Sequence, residues 1–438
     1  MERPINLGYN AMKLTIYTSE SILRCLLTDM KPTVNEPKYP VWVNFINVAI
    51  ADIKYRPNPF VDPEEKEEDS IKALVRSYTQ KTSNESISSM TEKEIVLMYQ
   101  IERCQIEYPE MIDLRKDILR ARSIVILDIS PVVAEYISNN YGIICHAFST
   151  PPEESPIFYE GREVYFKKNR YGISNHGSHP VFGRERLMAG YSIKPVNSIV
   201  IIDRYLTTYD GDQEGCTGDC NSCNIDKLEC NRTRRDDGKA NVVALLDLIL
   251  PEYLNEDFHV LLIYEVLPQK SNPKSALNNF EKWTSSFYKD IRDKIYDIRN
   301  KNHRPLQYNL IIEIMSLTYL KRSGHEGLTI DKIKGHSLTH NRRIFSNYFV
   351  IRAEHSLKIQ RDSKRDSKML YSQYVSLDWV ASKGLIRYKD SDLPEECISD
   401  CIRTVKELIN DEKNKEIILF SQNGEPKSIS KIVNRLVK

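Results

Sequence analysis

The chain has 438 residues, of which 41% are hydrophobic and 28% are charged, values that fit a folded protein of two or three domains and exclude a disordered or collagen-like chain. Its 62 basic and 61 acidic side chains nearly cancel, so the total charge indicates no particular partner. An odd number of cysteines, no signal-peptide pattern and no run of about 18 apolar residues predict a cytoplasmic protein without a transmembrane segment.

Charge is unevenly distributed along the chain. Residues 61–110 contain 12 Asp and Glu against 6 Lys and Arg, whereas residues 321–370 contain 12 Lys and Arg against 5 Asp and Glu, together with four histidines. The near-neutral total therefore combines an acidic front segment with a basic rear segment.

The N-terminal half begins with a mixed pattern of strands and helices. An apolar run at residues 13–17 predicts a strand, and Thr18 or Ser19 is a candidate cap for the helix that follows. Residues 91–122 have a helical pattern that Pro109 interrupts.

A β-α-β unit follows this helical stretch. Residues 123–129 and 142–147 predict two strands around a helix that starts at Pro131. The unit lacks a glycine-rich phosphate loop, so a nucleotide role would depend on the fold alone. Residues 155–194 predict a hairpin-rich linker with an alternating stretch at residues 163–167.

The rest of the chain alternates more regularly between apolar strands and helices. Strands are predicted at residues 198–203, 259–264, 308–315, 343–351 and 416–420. Helices are predicted at residues 241–250, 283–298, 397–408 and 428–437. This order predicts a two-domain α/β chain whose C-terminal half is an α/β sandwich.

The predicted domain bounds follow from these elements. They are 1–194 for a mixed α/β domain of unassigned role, 195–380 for the sandwich with a Cys-rich insertion at 211–240, and 381–438 for a C-terminal α/β tail.

The densest histidine feature lies at residues 336–347, where His340 is followed by Arg342 and Asn347. In a strand, His340 and Arg342 share one face because alternate residues point the same way. Arginine offers a phosphate two parallel donors, and histidine offers a donor or a nucleophile. The segment therefore predicts a phosphate site. The alternative is a solvent-exposed hairpin with a few polar residues.

This stretch resembles the phospholipase-D-like C-terminal domain of MIT-domain proteins, whose motif reads His-Asp-Arg-x-Ile-x-x-Asn. The matching residues are His340, Asn341, Arg342, Ile344 and Asn347. The family also has an Asp-x-Tyr after its first strand, which Asp203 and Tyr205 match. The resemblance covers residues 197–358 and implies a phospholipase-D-like fold.

The departures from the active motif imply a degenerate site. An active family member needs His-x-Lys-x4-Asp, usually in two copies, whereas this chain has one His-x-Arg-x4-Asn. Arginine does not readily lose a proton as lysine does, and asparagine does not tune an imidazole as a carboxylate does. We therefore expect recognition of phosphate groups rather than catalysis, with nucleic acid favoured over acidic lipid heads.

We expect His340, Arg342 and Asn347 to hold the phosphate, and Asp203 and Tyr205 to line the same cleft. Arg343 and Arg352 are further expected phosphate ligands, and His340, Arg342 and Asn347 would be the catalytic residues of an active form. In that alternative, a homodimeric phosphodiesterase or nuclease forms a phosphohistidine at His340. A third reading makes the protein a subunit of a larger complex, such as a microbial antiviral defence system.

Four cysteines lie within 15 residues, in the order Cys216, Cys220, Cys223 and Cys230. Four thiolates can close a tetrahedral cage around zinc in a reducing compartment. An iron–sulfur cluster needs the same ligands, and a loop of free or redox-active cysteines is the third possibility. We predict a structural zinc that stabilises this insertion.

Overall fold

The computed structural model describes residues 14–29, 51–58, 87–104, 122–150, 162–167, 196–202, 242–243, 246, 249–264, 273–303, 305–316, 343–353, 372–379, 394–410 and 418–438. Contacts divide the chain into two units. The first comprises Met1–Gly161, Lys194–Val196 and Trp379–Ser399, and the second Arg162–Ile193, Asn197–Asp378 and Asp400–Lys438. Each unit contains its own sheet with parallel strands and helices, which confirms the predicted α/β class.

The first unit contains a five-stranded parallel sheet of order β3-β2-β1-β4-β5. Its strands are β1 (Leu14–Ser19), β2 (Ala51–Arg56), β3 (Ile87–Ser89), β4 (Ser123–Leu127) and β5 (Ile144–Ala147). Its helices are α1 (Glu20–Asp29), α2 (Glu92–Glu102) and α3 (Pro131–Tyr141). Every residue of β1, β4 and β5 is buried, as expected for parallel strands covered on both faces.

Side-chain caps explain where α1 and α2 begin. Ser19 Oγ accepts the backbone N–H of Ile22 at 3.3 Å, so Ser19 is the predicted cap that the structure uses. Thr91 and Glu94 form a capping box, in which Glu94 Oε2 accepts the Thr91 N–H at 2.8 Å. Helix α2 ends well before residue 122, the end of the predicted helical stretch, and residues 105–121 lie outside the described residues.

Helix α3 begins and ends as its sequence indicates. Ser130 caps its first turn and Pro131 occupies the first helical position, where the missing N–H has no cost. Gly142 ends the helix in the left-handed conformation, with φ of 61°. The predicted β-α-β unit is therefore confirmed as β4, α3 and β5.

A buried carboxylate attaches α2 to the sheet. Glu94 Oε1 accepts hydrogen bonds from Tyr17 Oη at 3.2 Å and from Lys54 Nζ at 2.5 Å. Burial opposes ionisation of Glu94, but the hydrogen bonds from Lys54 and Thr91 outweigh it and lower the pKa of this carboxyl. The ion pair thus links α2 to β2, and the hydrogen bond from Tyr17 links it to β1.

The second unit contains a nine-stranded mixed sheet of order β14-β13-β9-β8-β7-β10-β11-β12-β6. Its strands are β6 (Arg162–Lys167), β7 (Ser198–Ile202), β8 (Phe258–Tyr264), β9 (Leu310–Ser316), β10 (Arg343–Ser346), β11 (Phe349–Ala353), β12 (Ser372–Trp379), β13 (Leu419–Gln422) and β14 (Glu425–Pro426). Strands β7, β8 and β9 are parallel, and β10 and β13 flank them as antiparallel neighbours.

Two long helices accompany this sheet. Helix α4 (Pro273–Lys301) contains the predicted helix at 283–298, and Phe287, Ile291 and Ile295 of its apolar face are buried. Helix α5 (Pro394–Asn410) belongs to the second unit from Asp400 onward. The described residues of the predicted helix at 241–250 include four that are helical and buried, namely Val242, Val243, Leu246 and Ile249.

Two predicted elements were wrong. The single strand predicted at 343–351 is a hairpin of β10 and β11, because Ser346 Oγ accepts the N–H groups of Tyr348 and Phe349 at 3.1 Å each and turns the chain.

The basic helix predicted at 428–437 is a short 3-10 turn, Ile429–Lys431, followed by turns. The N–H groups of Val433 and Asn434, further along, donate to the buried carboxylate of Glu313 instead of to helical carbonyls.

The strand predicted at residues 163–167 exists as β6, but it does not form a local hairpin. It pairs antiparallel with β12, so that Lys167 lies opposite Ser372 and Arg162 opposite Leu377. The last two strands at this edge of the sheet are therefore about 200 residues apart in sequence.

Candidate functional site

Strand register brings two of the predicted phosphate ligands to one row of the sheet. Arg343, the first residue of β10, pairs with Ile202, the last residue of β7. On its other side Arg343 pairs with Arg352 of β11. We call the row formed by Ile202, Arg343 and Arg352 the arginine edge.

The other predicted ligands adjoin the arginine edge in sequence. Asp203 directly follows Ile202, and Arg342 directly precedes Arg343. The segments that carry Asp203 with Tyr205 and His340 with Arg342 therefore leave the described sheet at paired positions. His340, Arg342, Asp203 and Tyr205 themselves lie outside the described residues.

The side chain of Arg343 is held by the second part of α5. It is half-buried, and its Nη1 donates to Sγ of Cys401 at 3.2 Å. Cys401 is itself buried. A thiol is a weak acceptor, so this contact orients the guanidinium.

Asn347 lies at the opposite edge of the sheet from Arg343. Its side chain is 0% exposed, and its Oδ1 accepts the backbone N–H groups of Asn197 and Ser198 at 3.3 Å each. Its Nδ2 donates to Oδ1 of Asn197 at 2.6 Å. Because β7 runs four residue steps from Ser198 to Ile202, the two edges are about 13 Å apart. The structure therefore does not bring Asn347 together with Arg343.

Two polar residues at the ends of the neighbouring parallel strands were missed by sequence reasoning. Tyr264 ends β8, Ser316 ends β9, and the two are paired in register and buried. The hydroxyl of Ser316 has no hydrogen-bond partner among the described residues. The sequence feature that could have identified them is the polar residue that ends each apolar run. Residues paired across strands point to the same face of the sheet, and consecutive residues alternate between faces. Tyr264 and Ser316 follow the residues in the row of Arg343 by one position, so they lie on the opposite face.

The predicted metal ligands Cys216, Cys220, Cys223 and Cys230 lie outside the described residues. Among the residues that are described, no group of three or more His, Cys, Asp or Glu side chains could hold a metal ion. The described cysteines, which include Cys145 and Cys401, form no disulfide with one another. Zinc at the Cys-rich insertion stays a prediction.

None of the described helices is both long and apolar enough to cross a membrane. The cytoplasmic location stays a prediction. No family model matches the chain, and neither does any curated protein. The functional assignment therefore depends on the chemistry of the arginine edge.

Proposed function

We propose that the second unit is a phosphate-recognising module that binds nucleic acid at the arginine edge, with a degenerate phospholipase-D-like site. The observation that carries the proposal is the pairing of Arg343 with Ile202 and with Arg352. That pairing connects the His340–Arg342 segment, the Asp203–Tyr205 segment and two arginine positions through adjacent strand residues.

Electrostatics favours an anion at this edge. Residues directly opposite in an antiparallel pair lie about 5 Å apart, so the register places two arginine positions side by side in one row. The oxygens of a phosphate match the fork of donors on a guanidinium, which favours a phosphate at such a row. The basic excess of residues 321–370 adds a favourable long-range field for a polyanion.

The predicted site residues take three roles. His340, Arg342, Arg343 and Arg352 bind the phosphate, and Asp203 and Tyr205 line the same cleft. Asn347 positions the β10–β11 hairpin against the start of β7, since its carboxamide is engaged by Asn197 and Ser198. A structural zinc at the four insertion cysteines orders the chain that follows Asp203.

Binding is favoured over cleavage by the single motif copy. One His-x-Arg-x4-Asn sequence supplies one imidazole, whereas a phospholipase-D-like reaction needs a nucleophile and a separate acid for the leaving group. We place the module in a larger cytoplasmic assembly, for example an antiviral defence complex, in which other subunits could supply the chemistry.

The test is fluorescence anisotropy with labelled single-stranded DNA, RNA of the same sequence, and vesicles that contain phosphatidylserine. Arg343→Gln and Arg352→Gln are compared with Arg292→Gln, which removes an exposed arginine of α4. Hydrogen bonds to charged groups contribute about 1.5–3 kcal/mol, so each edge variant should weaken nucleic-acid binding at least about tenfold. The slope of log affinity against log salt concentration should also fall by an amount that corresponds to about one phosphate contact.

Three outcomes contradict the proposal. Equal affinities for Arg343→Gln and Arg292→Gln would remove the arginine edge from the interface. A preference for vesicles over both nucleic acids would identify acidic lipid heads, and not nucleic acid, as the ligand. Cleavage of the DNA or RNA by the wild type, with loss of cleavage in His340→Ala, would establish the phosphodiesterase alternative.

A further inference from the structure

The guanidinium of Arg343 is contacted by a buried thiol of helix α5. Nη1 of Arg343 donates to Sγ of Cys401 at 3.2 Å. The two residues are 58 positions apart in sequence, and both belong to the second unit. Cys401 is buried, whereas Arg343 is only half-buried, so the thiol holds the guanidinium from its inner side.

Packing fixes the position of this thiol. Cys401, Val405 and Leu408 recur along α5 at spacings of four and three residues, which places them on one face of the helix. All three are buried, and so is the neighbouring Ile402. Cys401 is therefore a fixed point from which a long and flexible side chain can be oriented.

The backbone of Arg343 is fixed independently of α5. It pairs with Ile202 of β7 on one side and with Arg352 of β11 on the other. Strand pairing determines where the side chain leaves the sheet, but each of its rotatable bonds still has several staggered positions. The hydrogen bond to Cys401 acts at the far end of the side chain and restricts these rotamers.

Restricting an arginine before its ligand arrives improves binding. Immobilising one long side chain at an interface weakens affinity about 2- to 12-fold. An arginine that is already ordered in the free protein avoids this loss, which is the advantage of preorganisation. Because a thiol is a weak acceptor, it does not displace the stronger charge-assisted hydrogen bonds that a phosphate accepts from arginine.

We propose that Cys401 is a positioning residue of the arginine edge, where it holds the guanidinium of Arg343 in its phosphate-binding orientation before the nucleic acid arrives. The thiol acts through Arg343 and does not contact the phosphate. This role rests on the proposed function, since it concerns the affinity of the same edge.

The test is anisotropy of the full-length protein with labelled single-stranded DNA. Cys401→Ala removes the acceptor, and Cys401→Ser replaces it with a hydroxyl acceptor. Cys145→Ala, which removes a buried thiol of the first unit, is the control. We expect Cys401→Ala to weaken binding about 2- to 12-fold, and Cys401→Ser and Cys145→Ala to keep the wild-type affinity within about twofold. In an Arg343→Gln background, Cys401→Ala should cause no further loss, because the two residues act as a unit.

Urea unfolding of the same variants separates positioning from packing. A buried hydroxyl costs stability in an apolar surrounding, whereas alanine introduces no polar group. A thiol that only fills space would therefore make Cys401→Ser at least as impaired as Cys401→Ala in both stability and affinity. Positioning predicts the opposite order for affinity, with Cys401→Ser binding DNA more tightly than Cys401→Ala whichever variant is more stable. Cys401→Val, which also lacks an acceptor, replaces Cys401→Ala if the alanine variant does not fold.

The outcomes distinguish this role from the proposed function. Wild-type affinity of folded Cys401→Ala, together with weak binding by Arg343→Gln, overturns the positioning role and leaves the phosphate site standing. An equal loss from Cys401→Ala in the wild-type and Arg343→Gln backgrounds also overturns it, because Cys401 would then act without Arg343. Equal affinities of the wild type and Arg343→Gln would remove the phosphate site, and the positioning role with it.

Discussion

Replacing Asn347 with alanine separates an anchoring role of this residue from contact with phosphate. The substitution removes the acceptor of two buried backbone N–H groups, those of Asn197 and Ser198, and the donor to Asn197 Oδ1. A buried polar group that loses its partner costs about 1–3 kcal/mol, and some of the cost is recovered by relaxation. We therefore expect Asn347→Ala to lower the free energy of unfolding by about 2–4 kcal/mol.

Urea unfolding followed by circular dichroism measures this loss, and anisotropy with labelled DNA measures affinity under conditions where the variant is folded. Asn300→Ala, at an exposed position near the end of α4, is the matched control and should change stability by no more than about 0.5 kcal/mol. Phosphate affinity of folded Asn347→Ala should equal that of the wild type. A stable variant that binds DNA weakly would refute the anchoring role and return Asn347 to the phosphate site.

Three further predictions concern stability and metal content. Glu94→Gln should cost about 1–3 kcal/mol near neutral pH, because it breaks the ion pair with Lys54. Because the pKa of Glu94 is depressed in the fold, its contribution is lost as the pH falls below 4.5, and acid titration of the wild type should show a decline that the variant lacks. Gly424→Ala should cost about 1–3 kcal/mol in urea unfolding, since φ is +81° and the new Cβ would lie 3.0 Å from Cα of Ser285. Elemental analysis should find about one zinc per chain, reduced in Cys216→Ser, and a folded, metal-free wild type would contradict the structural zinc.

Much of the fold was predictable because its signals are local. The apolar runs that became β1, β4, β7, β8 and β9 are each buried along most of their length. Ser19 and Pro131 mark helix starts through interactions with the next few residues, which a single sequence displays.

The failures of prediction have a common cause in side chains that compete with regular backbone pairing. Ser346 looks like a strand residue, yet its hydroxyl accepts two following N–H groups and ends β10. The basic residues of 428–437 favour a helix by composition, but Glu313, more than 100 residues earlier, accepts the N–H groups that the helix would need. No local pattern reveals such a distant acceptor.

The candidate site was predictable in chemistry but not in arrangement. The spacing of His340, Arg342 and Asn347 indicated a phosphate motif, and the strand pattern indicated that it enters a buried sheet. Only strand register showed that Arg343 pairs with both Ile202 and Arg352, whereas Asn347 is bound at the other edge. A shift of the strand register by one residue would have placed Arg343 on the other face of the sheet relative to its neighbours.

Apolar patterns and capping residues were enough to predict the α/β class, most strand and helix positions and the residue types available for phosphate chemistry, because burial and capping act over a few neighbouring residues. Which of these residues meet depends on the assembled sheets. The fold pairs β6 with β12 and brings Glu313 to the N–H groups of Val433 and Asn434, in contacts between segments separated by 100 residues or more. Such contacts depend on the packing of the whole sheet, since the entropy lost in closing long loops is repaid only by the complete fold.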